Sequence, residues 1–395
     1  MDLNRLHQEA ARLLPETIEL RRRIHRRPEL GLELPETQRA VLEALEGLDL
    51  EVHTGGSTSA VVAELRGARP GRTLLLRADM DALPMPEDTG LPFASEIDGA
   101  MHACGHDAHT AMLAGAAKLL HGMRDELAGT VKFLFQPGEE GFGGMRILIE
   151  EGLLASTPRV EGAFALHMDS TLPAGTIATR PGAILASADV FSVEVKGKGG
   201  HAALPHLARD PIVVACEMVT SIQGLVTRRM NAFDPVLVSV TRLRAGTTTN
   251  VIPETANLQG TIRTVSPAAR KAIHEKLRRL VEGIAAAHGI EAEFHLVPGY
   301  PVTVNHDEFA EFASEVAGSL LGEDRVMRMP SPMMGAEDFS YALEQVPGAL
   351  AFLGARADES VAAPLHSNRM ILDESAFAAG IALHAAVALR WSAAE

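Results

Sequence analysis

The chain has 395 residues, 46% of them hydrophobic, and 36 Lys and Arg against 51 Asp and Glu give a formal net charge of −15. That much apolar material suits a well-buried globular protein of about two domains, and the acidic balance without a basic cluster argues against nucleic acid and anionic membranes as partners. No apolar run reaches transmembrane length, the start lacks a signal-peptide core, and two cysteines, Cys104 and Cys216, make no disulfide framework, so a cytoplasmic protein is expected.

Residues 4–24 read as an amphipathic helix that Pro28 stops, with His25 and Glu29 in a capping corner behind it. A second helix is predicted over 34–47, then strands over 59–65 and 73–79. The second strand is a continuous apolar run, as in a sheet covered on both faces, and it ends at Asp79-Met80-Asp81. Next comes His102-Ala103-Cys104-Gly105-His106-Asp107-Ala108-His109. A core cannot absorb so many polar groups without partners, but a metal can. Asp107 is placed as the N-cap of the apolar helix that follows, which would hold a Cys-x-His loop rigid. A strand over 131–137 leads into Gly138-Glu139-Glu140-Gly141 and a helix through Glu151, and a strand over 161–167 ends in His167. Three strands therefore end in acidic or imidazole residues, at the sheet edge where open α/β folds place their ligand sites.

Near residue 184 the pattern changes. Residues 188–196 alternate with period 2, and a helix at 210–227, strands at 235–244 and 255–264, a helix at 267–287 and a strand at 291–297 follow. That order is β-α-β-β-α-β, a ferredoxin-like module. Cys216 falls in the first of these helices and reads as inert core. Beyond residue 305 come a helix at 307–321, a helix opened by Gly335-Ala336-Glu337-Asp338-Phe339, a strand near 349–353, a loop carrying His366, and a last helix from 373 to about 391. The predicted fold is α/β. Residues 1–184 and 298–395 form a doubly wound, mostly parallel-sheet domain, into which 185–297 insert as an α+β module.

Five groups suit a pair of transition-metal ions: Cys104, His106, Glu140, His167 and His366. Mixed thiolate, imidazole and carboxylate donors point to Zn, Mn, Co or Ni rather than Mg or Ca. Glu139 precedes Glu140, and neighbouring side chains leave the backbone in different directions. One carboxylate can then bind metal while the other stands as general base for hydrolysis. A Cys104 nucleophile with a nearby histidine is a rival chemistry. A non-catalytic binding protein on a retired enzyme fold is a rival of another class, against which the complete set of ligands and base weighs.

Five ordered motifs, Met101-His-Ala-Cys-Gly-His-Asp-Ala-His-Thr110, Gln136-Pro-Gly-Glu-Glu140, Gly197-Lys-Gly-Gly-His-Ala-Ala-Leu-Pro-His206, Gly246-Thr-Thr-Thr-Asn-Val-Ile-Pro253 and Gly335-Ala-Glu-Asp-Phe339, span nearly the whole chain. In them the sequence resembles the amidohydrolase branch of the aminoacylase/carboxypeptidase metallopeptidase family. That branch holds hippurate hydrolases, hydrolases of indoleacetyl-amino-acid conjugates and N-acetyl-amino-acid deacetylases. The resemblance implies hydrolysis of N-acyl-L-amino acids at a dinuclear site, with the five groups above as ligands and Glu139 as base. It implies that the inserted module is a lid that also forms a homodimer, and that His201, Asn250 and Arg263 contact substrate. A dipeptidase or carboxypeptidase on the same site is the alternative. Where the peptidase branches carry His-x-Asp after the second strand, this chain has Asp79-Met80-Asp81, which places both aspartates behind the metal ligands rather than on the metal.

Overall fold

The computed structural model describes residues 3–358 and 362–393. They fall into two compact units. Residues up to Gly182, Val304–Ser331 and from Asp338 onward make the first; Ala183–Thr303 and Pro332–Glu337 make the second.

The chain opens with helices α1 (Leu3–Arg26) and α2 (Pro35–Leu45) and strands β1 (Glu51–Thr54), β2 (Val61–Arg66) and β3 (Arg69–Asp79). Helix α3 (His106–Gly122), strand β4 (Ala128–Gln136), helix α4 (Gly144–Glu150) and strands β5 (Gly162–Pro173), β6 (Ile177–Thr179) and β7 (Gly182–Leu185) follow. The second unit then contributes β8 (Asp189–Lys196), β9 (Gly200–His201), α5 (Pro211–Arg229), β10 (Val236–Ala245), β11 (Val251–Ile252), β12 (Thr255–Thr264), α6 (Pro267–Ala287) and β13 (Glu291–Pro298). The chain closes with β14 (Thr303–Asn305), α7 (Asp307–Leu321), β15 (Val326–Arg328), α8 (Ser340–Leu343), β16 (Gly348–Arg356) and α9 (Phe377–Trp391).

The main sheet has the order β1-β2-β4-β3-β5-β16-β6-β15, and its centre, β4-β3-β5-β16, is parallel. Leu74, Leu75 and Leu76 of β3 and Phe133, Leu134 and Phe135 of β4 are all buried, because both faces of a parallel sheet are covered and no side of the strand meets water. Helices α3 and α9 lie on the central strands, and α1 packs on both helices. Both sheet-facing helices are alanine-rich, which lets them approach closely. Strand β5 does not end at His167, as the sequence pattern suggested. Its parallel ladder with β16 pairs His167 with Phe352 and continues through Asp169, so the apolar run stops before the strand does.

In the second unit β10-β12-β8-β13 form an antiparallel sheet with the ferredoxin-like order. Phe191, Val193 and Val195 of β8 alternate inward against Val214, Met218 and Ile222 of α5 and Ile273, Leu277 and Val281 of α6. Asp210 caps α5 by accepting the Ile212 amide, and Ser266 caps α6 by accepting that of Ala269. Cys216 was expected in the core but is exposed. Val214, Ala215, Met218 and Ile222 take the inward stripe of α5, and position 216 falls on the opposite side. The expected helix opening at Gly335–Phe339 is only the single turn α8, which starts after that motif.

Candidate metal centre

The centre is built where β3, β4 and β5 deliver their ends beside the start of α3. Gly105 caps α3 in the left-handed region, at φ 85°, where a Cβ would meet the Met168 side chain at 3.2 Å. That turn sets Cys104 ahead of the helix and His106 on its first turn. Asp107 is therefore not the N-cap expected from sequence. It is wholly buried in the first turn, with Oδ2 2.7 Å from both Arg21 Nε and His25 Nδ1 of α1. Burial disfavours its charge, but Arg21 and His25 hold it well below the ordinary carboxylate range. His25 also approaches Glu87 at 3.3 Å, while Glu29 caps α2 through the Glu36 and Thr37 amides.

His106 donates Nδ1–H to the Asp81 carbonyl at 2.8 Å, and His167 donates Nδ1–H to the Met168 carbonyl at 2.8 Å. In its neutral form each ring then carries its lone pair on Nε2, the arrangement that orients metal-binding imidazoles. His106 Nε2 has no hydrogen-bond partner, and His167 Nε2 lies 3.6 Å from Cys104 Sγ. His366 comes from a distant loop with its Nε2 3.3 Å from Cys104 Sγ and 3.3 Å from Glu140 Oε1. Its backbone is left-handed, at φ 64°, the one such non-glycine among the described residues, and its amide is pinned to the Ala103 carbonyl at 2.8 Å. Such conformations persist where the surroundings enforce them. The donor atoms of Cys104, His106 and Glu140 lie within 4.8 Å of one another. All five groups singled out from sequence are thus brought together.

The electrostatics suit a cation. Burial would raise the Cys104 thiol, but His106 and His167 bring it down to about 6. Burial would lower His167, but Cys104 carries it up to about 9, and bonds to Cys104 and Glu140 carry His366 up to about 10. Within the protein alone, thiolate and carboxylate are matched by imidazolium protons, the protons that a divalent ion displaces on binding. The unsatisfied ring nitrogen and the soft, mixed donor set fit a transition metal. His109 is different. It donates Nδ1–H to Asp79 at 2.5 Å and accepts the Met168 amide on Nε2 at 2.7 Å, so it has no lone pair left for a metal.

Glu139 is buried beside this group. The amides of Glu139 and Glu140 donate to the two oxygens of Asp81, each at 2.9 Å. Asp81 therefore aims Glu139 and Glu140 together, and its own carbonyl orients His106. Arg77, Gln136 and Asp338, which sequence reasoning left without roles, form a buried polar floor under these residues. In the second unit, His201 on β9 pairs with Val251 on β11, and the Ala202 amide donates to the Asn250 carbonyl at 3.0 Å. His201 and Asn250 thus share one exposed ribbon, while Arg263 stands near the end of β12 opposite Leu237 of β10.

The family model described as Peptidase family M20/M25/M40 matches residues 75–390. The chain is 42% identical over 360 residues to an N-acetylcysteine deacetylase of Bacillus subtilis, covering 91% of this chain and 92% of that one. It is 39% identical over 380 residues to thermostable carboxypeptidase 1 of Saccharolobus solfataricus, covering 95% of each. Among solved structures, the YXEP protein of Bacillus subtilis, described as a dinuclear metal-binding peptidase from the M20 family, superposes with TM-score 0.85 at 37% identity, over 97% of this chain and 99% of that one.

Proposed function

Because this chain belongs to peptidase family M20/M25/M40, we propose that it is a metal-dependent amidohydrolase that cleaves N-acyl-L-amino acids to a carboxylic acid and a free amino acid. The observation that carries the reading is the convergence of Cys104, His106, Glu140, His167 and His366 beside a buried Glu139. These five side chains would hold two divalent transition-metal ions, Zn, Mn, Co or Ni. When bound, the metals supply Lewis acidity that polarises the amide carbonyl and acidifies water. Glu139 takes a proton from the attacking water as its oxygen bonds to the carbonyl carbon. The same carboxyl then protonates the departing nitrogen as the C–N bond breaks, so the proton balance closes on one residue.

The second unit would act as a lid and pair two copies of the chain. His201 would donate to the developing oxyanion, Arg263 would grip the amino acid's carboxylate as a planar fork, and Asn250 would line the same subsite. Symmetric pairing through this unit is read out as twice the chain mass in solution. A cytoplasmic location accords with a reduced Cys104 thiol at the centre. The alternative is a dipeptidase or carboxypeptidase on the same site, and the thermostable carboxypeptidase relative supports its carboxypeptidase part. The test that separates them is turnover of acetyl-, benzoyl- and indoleacetyl-amino acids against unblocked dipeptides, with each metal loaded. Preference for acylated substrates supports the proposal, and preference for dipeptides replaces it with the peptidase reading.

A further inference from the structure

Arg77 is a full charge inside the central strand of the main sheet, 1% exposed. Its guanidinium reaches Asp79, Gln136 and Asp338. It donates from Nη1 to Asp79 Oδ2 at 2.7 Å, from Nε to Gln136 Oε1 at 2.8 Å, and from Nη2 to Asp338 Oδ1 at 3.0 Å. Each partner is tied to an element that bears a site group. Asp79 holds His109, whose other nitrogen takes the amide next to His167, and Asp79 Oδ2 lies 3.5 Å from His106 Nε2. Gln136 ends β4 just before the Glu139 loop and donates to both oxygens of Asp338 at 2.9 Å. Asp338 also accepts the Met145 amide at the start of α4, at 2.9 Å, and its carboxylate comes within 4.8 Å of that of Glu139.

Both aspartates are wholly buried, so each needs a matched counter-charge in place. One guanidinium serves both because its planar fork offers several donors in fixed directions; an ammonium would supply the charge without the geometry. The sheet holds a second buried ion pair, Lys132 with Glu64 at 3.0 Å, between β4 and β2. Its lysine also donates to Ser156, and among the described residues no candidate site group bonds to the pair.

We propose that Arg77 is a positioning residue: it sets Asp79 against His106 and Asp338 against the Glu139 loop, and so fixes the spacing between the metal-binding side and the base side of the centre. The proposal rests on the metal-dependent reading above, and its primary readout does not need turnover. Zn²⁺ affinity of the full-length protein is measured by competition with a chromophoric chelator, for wild type, Arg77→Lys, Arg77→Met/Asp338→Asn and Lys132→Met. Both Arg77 variants are expected to lose about tenfold or more in Zn²⁺ affinity, in the range typical of residues that orient metal ligands. The double variant removes one positive and one negative charge, which leaves the net buried charge unchanged, and His109 still donates to Asp79, so it is the second protein to assay where Arg77→Lys does not fold. At saturating Zn²⁺, kcat is expected to fall with KM little changed. Lys132→Met should lower Tm and leave Zn²⁺ affinity alone. Wild-type affinity in a folded Arg77 variant, with only a Tm loss like that of Lys132→Met, would overturn the proposal. Lost affinity in the Arg77 variants together with no turnover by wild type would sink the hydrolase reading and leave the positioning role standing.

Discussion

Asp81→Asn is the perturbation that reaches furthest from the least change in volume. The Asp81 carboxylate accepts two backbone amides, Glu139 N on Oδ1 and Glu140 N on Oδ2, both at 2.9 Å. Bonds to an ionised acceptor contribute about 1.5–3 kcal/mol each. Asparagine keeps one of them at the strength of a neutral pair, roughly 0.5–1.5 kcal/mol, and turns an NH₂ toward the other amide, which strands a buried donor at about 1–3 kcal/mol. Local loss on the order of 3 kcal/mol follows, concentrated on the two residues that would carry base and ligand. Misplacing a reacting group by about an ångström costs on the order of 10²-fold in rate. Hydrogen exchange across residues 138–141 should accelerate in the Asp81→Asn protein, and kcat should fall about 10²-fold while far-UV circular dichroism is unchanged. Amides as protected as in wild type, with kcat within about threefold, would refute the claim that Asp81 aims Glu139 and Glu140.

Glu139→Gln should retain fold and metal but lose ~10²–10⁴-fold in turnover, checked by steady-state kinetics on metal-loaded protein. Cys104→Ser should lose metal by elemental analysis beyond any loss of stability, because an alcohol is a far weaker ligand than a thiolate, whereas the exposed Cys216→Ser should keep its full complement. In the second unit, burial opposes the charge of Asp189, but His274 and Arg270 bring its carboxyl down to about 2. Stability from a depressed carboxyl is present above its unfolded value and lost as pH falls through the folded one. This contribution, roughly 2 kcal/mol, should therefore disappear between about pH 4 and pH 2. Denaturation curves of Asp189→Asn should lack that acid limb.

The centre was legible in sequence because its chemistry is dense. Cys104 and His106 stand in one short polar stretch, and Glu139 and Glu140 follow a buried strand, so the residues announce themselves before any fold is known. What supports them was not legible, for two reasons. Arg77 is an anomaly in the run Thr73-Leu-Leu-Leu-Arg-Ala-Asp79, but its partner Asp338 lies 261 residues away, and no local pattern joins them. Arg21 hides in an arginine-rich helix end that resembles a solvated patch. Only the helical spacing of Thr17, Arg21 and Ile24, all buried in α1, sets it on the inward face, where it meets Asp107. Asp107 itself looked like a cap because the sequence offers an Asp before an apolar helix. Gly105 takes that position in the left-handed region and leaves the carboxylate to α1.

The most direct measurement strips the protein with a chelator and returns metal stepwise, while release of free amino acid from an N-acetyl-amino acid is followed against metal bound per chain. Stripped protein should release none, reloading with Zn, Mn, Co or Ni should restore release, and recovery should saturate at two ions per chain. Undiminished release from fully stripped protein would contradict a metal-dependent reaction, and would return Cys104 to consideration as a nucleophile.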